Sequence, residues 1–360
     1  MRLVEHRTPT HEMEYVDSVL ELIGETPLVR LRRVLRDIEP VERQPVLLAK
    51  CEMLNPGGSV KDRIGFRMIE AAERDGKLLP GGTIVEPTSG NTGVGLAMAA
   101  ALKGYRCIFV MADKQSAEKR ALLRAYGAEV VVCPTDVPPE SDDSYYRTAE
   151  RLVRETPGAF MPGQYWNQEN PRAHEATTGP EIWRQTAGRI THLVAGAGTG
   201  GTISGAARYL RQRKPGLVVV GADTEGSVYS GDTPRPYLTE GVGEDFYPET
   251  MDMTLVDRWV RVSDRAAFQA ARALTRTEGI LVGESSGTAL VAALAVVREL
   301  TGSKAGADKV VVVILPDTGR NYLSKLYDDA WMAEHGLLDP IAADVRAPAG
   351  QTARRRRGAA

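Results

Sequence analysis

Cysteine is scarce in this chain, three residues in 360, and Cys51, Cys107 and Cys133 stand far from one another with no metal-ligand spacing. That excludes a disulfide framework and a thiolate metal site, and it fits a reducing compartment with buried thiols. No apolar run reaches about 18 residues, so no membrane-spanning helix is written into the chain. Residues 1–15 mix charges without an apolar core of signal-peptide length, which sets the expectation of a cytoplasmic protein. No internal repeat of fixed period is visible. Charge is close to balance at −2, or about −6 once the arginines at 354–357 are set aside, leaving no basic body for nucleic acid. Those arginines follow a stretch from position 341 rich in Ala, Pro and Gly, read as a disordered, solvated tail.

What the chain does have is core. With 42% hydrophobic residues it can bury a large interior, and its length favours two domains or one large α/β unit. Short β-branched runs at 46–49, 83–85, 107–111, 129–133, 192–195, 218–222 and 310–315 read as buried strands. Helical spacing at 60–74, 92–102, 117–126, 200–211, 265–278 and 288–300 alternates with them, implying parallel sheets covered by helices. The Pro- and Asp-rich segment 134–145 reads as a seam between an N-terminal α/β unit and a larger C-terminal one.

Four turns concentrate the chemistry. Lys61 lies in Asn55-Pro-Gly-Gly-Ser-Val-Lys61-Asp-Arg63, and a lysine shielded from water is a nucleophilic amine suited to an aldehyde. Gly196-Ala-Gly198-Thr199-Gly200-Gly201-Thr202 runs from a strand into a helix and offers backbone amides and two hydroxyls to a phosphate. The same letters fit G-x-G-x-x-G, with Asp223 where a ribose-binding acid would stand, so a Rossmann NAD-dependent dehydrogenase is the rival reading. Glu86-Pro-Thr88-Ser89-Gly90-Asn91-Thr92-Gly93 carries more polar groups than a helix cap needs and suits a carboxylate. Gly283-Glu284-Ser285-Ser286-Gly287 is read as a turn ahead of the next helix, with capping as the simpler alternative.

In combination these residues resemble the fold-type II pyridoxal phosphate enzymes of the cysteine synthase and cystathionine β-synthase group. Gly24-Glu-Thr-Pro-Leu28, the Lys61 stretch, Thr88-Ser-Gly-Asn-Thr92, Gly198-Thr-Gly-Gly-Thr202 and Leu315-Pro-Asp317 carry the resemblance, which covers roughly 18–338. It implies an α/β fold of two open-sheet domains with pyridoxal 5'-phosphate in the cleft between them. Residues 48–158 would form the smaller domain, 12–47 with 159–338 the larger, and 339–360 the tail. It makes Lys61 the Schiff-base lysine, sets Asn91 at the ring hydroxyl, Gly198, Thr199, Gly200, Gly201 and Thr202 at the phosphate, and Ser285 at the ring nitrogen. Thr88, Ser89, Thr92 and Gln164 would receive the substrate carboxylate, with Tyr165 beside them. A homodimer is implied on the same ground.

A serine rather than an aspartate opposite the ring nitrogen makes a weaker electron sink and favours elimination. The implied reaction is β-replacement on serine or an O-activated serine with a small-molecule nucleophile. Gln164-Tyr-Trp-Asn167, Asn170-Pro-Arg-Ala-His174 and Glu240-Gly-Val-Gly-Glu-Asp-Phe246 favour the cystathionine β-synthase branch, and an acidic loop of Glu240, Glu244 and Asp245 is expected to attract the ammonium of homocysteine. Cysteine synthase chemistry with O-acetylserine or O-phosphoserine and sulfide is the alternative. Glu284 and Gln115 depart from the family pattern, and a buried Glu284 would need a partner, pointing to an amine nucleophile of the diaminopropionate type or to an unseen cation. Regulatory domains and a haem segment are not expected.

Overall fold

The computed structural model describes residues 13, 15–88, 90–113, 115–138 and 141–338; the expected tail at 339–360 and Ser89 lie outside these. The N-terminal half runs β1 (Leu28–Leu31), β2 (Val46–Cys51), α1 (Lys61–Arg74), β3 (Thr83–Pro87), α2 (Asn91–Lys103) and β4 (Arg106–Ala112). It continues with α3 (Ala117–Ala125), β5 (Glu129–Cys133), α4 (Tyr145–Glu155) and β6 (Ala159–Phe160). The remainder is α5 (Glu169–Ala176), α6 (Thr178–Gln185), β7 (His192–Gly196), α7 (Gly201–Arg213), β8 (Val218–Thr224), β9 (Arg258–Val262), α8 (Asp264–Glu278), α9 (Glu284–Thr301), β10 (Val310–Leu315) and α10 (Asp329–Glu334). Among the described residues no helix is long and apolar enough to cross a membrane.

The strands form two sheets. The larger has the order β1-β2-β10-β7-β8-β9, parallel except for the edge strand β1, and the smaller has the order β5-β4-β3-β6, parallel throughout. Every residue of β10, Val-Val-Val-Val-Ile-Leu, is buried, as a parallel strand covered on both faces requires. Val296 and Phe268 pack on one face of the large sheet, Ile203 and Leu210 on the other. All seven expected strands are present. The chain on both sides of 134–145 belongs to the small sheet, since β5 precedes it and α4 and β6 follow and pack on β3 and β4. Pro and Asp mark a loop there, and composition does not separate a loop inside a unit from one between units. The helix expected at 288–300 starts earlier, at Glu284, so the supposed turn 283–287 is its first turn.

Two devices fix the start of α1. The first is a buried ion cluster. Arg63 donates from Nε and Nη2 to both oxygens of Glu52 at 2.7 and 2.8 Å, and from Nη1 and Nη2 to both oxygens of Glu181 at 2.6 and 2.8 Å. Lys50 Nζ donates to Glu181 at 2.6 Å, and Thr26 Oγ1 to Glu52 at 2.6 Å. Burial alone would raise the Glu52 and Glu181 carboxyls, but the Arg63 charge outweighs it and holds both below the usual range. The second device is a helix crossing without side chains. A methyl at Gly65 would lie 2.5 Å from the Gly95 carbonyl carbon, and one at Gly95 2.7 Å from the Lys61 oxygen, so α1 and α2 touch main chain to main chain.

Both devices generate stability predictions. Arg63→Met leaves two buried carboxylates facing one lysine and is expected to lower the unfolding free energy by roughly 3–5 kcal/mol in urea titration; a loss below about 1 kcal/mol would show the cluster to be dispensable. Gly95→Ala is expected to cost about 1–3 kcal/mol by overpacking, whereas Gly216→Ala, where the added methyl meets nothing within 4 Å, should stay within about 0.5 kcal/mol.

Candidate active site

Beyond the carboxyl ends of β7 and β10, where ligands of parallel sheets bind, lies a pocket. Lys61, Gly198, Thr199, Gly200, Thr202 and Ser285 line it, with Val60, Ile314 and Pro316 supplying apolar wall. Four distant stretches of sequence thus meet in one cavity. Lys61 is the first residue of α1 and Ser285 the second of α9. Burial lowers the Lys61 amine from the ordinary lysine range, against the opposing charges of Asp317 and Glu244, which eases its deprotonation.

Gly200 caps α7 in the left-handed region at φ 78°, which turns the first N–H groups of the helix outward, where no earlier carbonyl of the helix can take them. Thr250 Oγ1 donates to the Thr199 carbonyl at 2.6 Å and Tyr229 Oη to the Gly198 carbonyl at 2.5 Å, pinning the turn from behind. Gly201 does not line the pocket; a methyl there would meet Asn170 Oδ1 at 1.9 Å. Asn170 is the key to this turn: its Nδ2 donates to Thr199 Oγ1 at 3.0 Å and to the Gln164 carbonyl at 2.8 Å. One turn along α5, His174 stands between Thr178 Oγ1 at 2.9 Å and Thr202 Oγ1 at 3.1 Å, and burial keeps its ring neutral. Neither was picked as a site residue from sequence, although their i, i+4 spacing in Asn170-Pro-Arg-Ala-His174 puts both on one helix face.

The second group of expected residues gathers beside the pocket rather than in its wall. Thr88 Oγ1 accepts from Gly90 N at 3.1 Å and Gly93 N at 3.3 Å, so it caps the start of α2. Thr92 Oγ1 donates to Gln164 Oε1 at 2.6 Å. Glu86 was missed by sequence reading: its carboxylate accepts from Gly163 N and Gln164 N at 2.8 and 3.0 Å and so sets Gln164, although burial pushes its carboxyl up to about 7. Asn91 gives its Nδ2 to Asp317 at 2.8 Å and is not among the lining residues. Asp317 also accepts from Tyr322 Oη at 2.7 Å and pairs by a β-bridge with Ser59, two residues before Lys61. Tyr165 packs its ring against Phe246 at 5.4 Å.

Glu240 and Glu284 stand differently from expectation. Glu240 is an ion-pair partner of Lys119 and of Lys325, the latter at 2.8 Å, so it is not available to a substrate. Glu284 is buried and accepts from the Glu240 backbone N–H at 2.7 Å; burial first, then the Glu240 charge, raises its carboxyl well above the usual range. The partner sought for it is therefore a backbone amide beside two lysines. Asp223, the ribose acid of the dehydrogenase reading, is buried and accepts from Ser230 N at 2.7 Å.

The pocket fits a phosphorylated aldehyde. Among the described residues the Lys61 amine has no hydrogen-bond acceptor, and the start of α7, suited to an anion, lines the same pocket. The family described as pyridoxal-phosphate dependent enzyme matches residues 19–317. The chain is 45% identical over 350 residues to cystathionine beta-synthase of Oryctolagus cuniculus, covering 96% of this chain and 62% of that protein. It is 47% identical over 339 residues to cystathionine beta-synthase of Rattus norvegicus, covering 92% and 59%. The chain spans about three-fifths of the length of these curated relatives. Among solved structures, an O-acetylserine dependent cystathionine beta-synthase from Helicobacter pylori matches with a TM-score of 0.79 at 37% identity, covering 87% of this chain and 99% of that one. With some five-sixths of its length matched, and a lysine, a glycine-rich turn and a serine meeting in one pocket, the chain belongs to the family of pyridoxal-phosphate dependent enzymes.

Proposed function

We propose that this protein catalyses β-replacement on L-serine or an O-activated serine with a thiol, forming cystathionine when the thiol is homocysteine. The observation that carries the reading is the meeting of Lys61, Ser285 and the Gly198–Thr202 turn in one pocket, where burial lowers the Lys61 amine. Similarity to cystathionine beta-synthases at 42–47% identity supports the thiol. Its neighbours also include a hydrogen sulfide-producing enzyme from Fusobacterium nucleatum and an O-ureido-L-serine synthase, which keeps sulfide and other nucleophiles as the second reading.

Lys61 would hold pyridoxal phosphate through its aldehyde carbon, with Gly198, Thr199, Gly200, Gly201 and Thr202 around the phosphate, Ser285 at the ring nitrogen and Asn91 at the ring hydroxyl. The cofactor, when bound, supplies an electron sink that weakens the Cα–H bond and the Cβ bond to the leaving group. Lys61 Nζ, once released, takes the Cα proton and returns it after the nucleophile adds at Cβ. Thr88, Thr92 and Gln164 would receive the substrate carboxylate; Thr88 Oγ1 is the acceptor in both its bonds and keeps its own O–H to donate. Ser89 and Tyr165 complete that set as proposals. A homodimer and a cytoplasmic setting complete the reading, the latter supported by three buried free thiols.

Lys61→Ala is expected to lose borohydride-fixable cofactor and to reduce turnover by about 10²–10⁴-fold or more, while still binding pyridoxal phosphate through the α7 turn. Purified wild-type protein that gains no visible absorbance with pyridoxal phosphate, or a Lys61→Ala variant with full turnover, would sink the assignment. Removing the cofactor should lower the melting temperature, because ligand bound only to the folded state stabilises it.

A further inference from the structure

Behind the wall of the pocket lies a buried imidazole that the β-replacement chemistry leaves unused. His174 and Asn170 share one face of α5, and each reaches a hydroxyl of the α7 turn: Asn170 Nδ2 donates to Thr199 Oγ1 at 3.0 Å, and His174 Nε2 lies 3.1 Å from Thr202 Oγ1. Both threonines line the pocket. Helix α5 lies against α7 with no side chain between them at Gly205, where a methyl would meet the Pro171 carbonyl oxygen at 2.0 Å and His174 Cβ at 2.8 Å. The two polar side chains are thus held at a set distance from the turn.

A neutral, buried imidazole carries one N–H and one bare nitrogen, so His174 donates at one end and accepts at the other. Its Nδ1 lies 2.9 Å from Thr178 Oγ1, and among the described residues neither Thr178 Oγ1 nor Thr202 Oγ1 has another hydrogen-bond partner. Were the proton on Nδ1, the ring would donate to Thr178, whose own buried O–H would then lack an acceptor, and Thr202 would spend its O–H on Nε2. With the proton on Nε2 every group is served: Thr178 donates to Nδ1, Nε2–H donates to Thr202 Oγ1, and the Thr202 O–H is left for the pocket. Asn170 sets Thr199 in the same sense. Its Nδ2, identified as the donor by a second bond to the Gln164 carbonyl at 2.8 Å, makes Thr199 Oγ1 an acceptor and leaves that O–H free as well. Two hydroxyl hydrogens are then available to a ligand group rich in acceptors, as a phosphate dianion is.

We propose that His174 and Asn170 are positioning residues that turn the Thr202 and Thr199 hydroxyls toward the pocket as donors, so that the site selects the phosphorylated form of its aldehyde. This rests on the pyridoxal phosphate reading of the pocket. The test titrates cofactor-stripped protein with pyridoxal phosphate and with pyridoxal, which lacks the phosphate, and reads the visible absorbance of the bound aldehyde. The wild type should prefer the phosphorylated form, and His174→Phe, which keeps a ring but no nitrogen, should cut that preference about tenfold, equivalent to about 1.4 kcal/mol. His174→Gln, which can still donate to Thr202, should keep most of it. Nitrogen-15 NMR of the loaded protein, with only five histidines to assign, should show His174 protonated at Nε2. A proton on Nδ1, or a preference unchanged in His174→Phe because both affinities hold or fall together, overturns the proposal and leaves the reading of the pocket standing. Should His174→Phe fail to fold, Thr178→Val removes only the donor to Nδ1; a smaller loss of preference in the same direction is expected, and no loss overturns the proposal. A wild type that gains no visible absorbance with either aldehyde overturns both.

Discussion

Everything near the pocket hangs on the buried Arg63 guanidinium, forked between Glu52 and Glu181. Five segments converge on it: the turn before β1 through Thr26, β2 through Lys50, the residues after β2 through Glu52, α1 itself, and α6 through Glu181. Two cations and two carboxylates balance, and their lone pairs and protons are almost wholly used, the condition under which a buried ion cluster holds rather than weakens a fold. Because Arg63 follows Lys61 by two residues, the cluster anchors the lysine to the large sheet. The Gly24-Glu-Thr-Pro-Leu28 and Asn55-Pro-Gly-Gly stretches, recognisable in sequence but remote from the pocket, acquire their reason here: Asn55 ties Gly24 N at 2.8 Å and the Glu52 side chain at 2.9 Å, and Asp62 fills the space a side chain at Gly57 would need.

A second group of charges joins the two sheets. Lys119 on α3 reaches Glu240 of the large unit and lies 4.6 Å over the Tyr322 ring; Tyr322 binds Asp317, and Asp317 binds Asn91 at the start of α2. These contacts form a continuous chain from the small sheet to the large one and back. Glu284, next to Ser285, hangs on the same chain through the Glu240 amide, so the serine in the pocket and the contacts between the units are coupled through a single backbone hydrogen bond.

The sheets were legible in sequence because parallel strands covered on both faces must be continuous apolar runs, as β10 and β4 are. Strands β1 and β9 were not, since each is partly exposed and carries arginines, and β6 has only two residues. Helix α5 hid behind Pro171, which its third position tolerates because the N–H there has no intrahelical partner. Turn chemistry drew attention to Lys61 and the Gly198–Thr202 turn, and the resemblance added Ser285; the three meet in one pocket. Long-range pairing escaped: nothing near Glu240 in sequence announces Lys119 or Lys325, and Thr88 looks the same whether it caps α2 or greets a ligand. Asn170, which links Gln164 to Thr199, was visible as a motif but not as a bridge, because its two partners lie on different segments.

The contact of Gly65 with Gly95 carries a consequence of another kind. Side chains that set a distance can be exchanged for others, and the distance drifts with them. Here the gap between the helix that starts at Lys61 and the helix that starts at Asn91 is measured by main-chain atoms, which are common to every sequence. Substitutions along the outer faces of either helix can accumulate without touching that measure, so the spacing of the two residues is heritable even where the surrounding sequence is not.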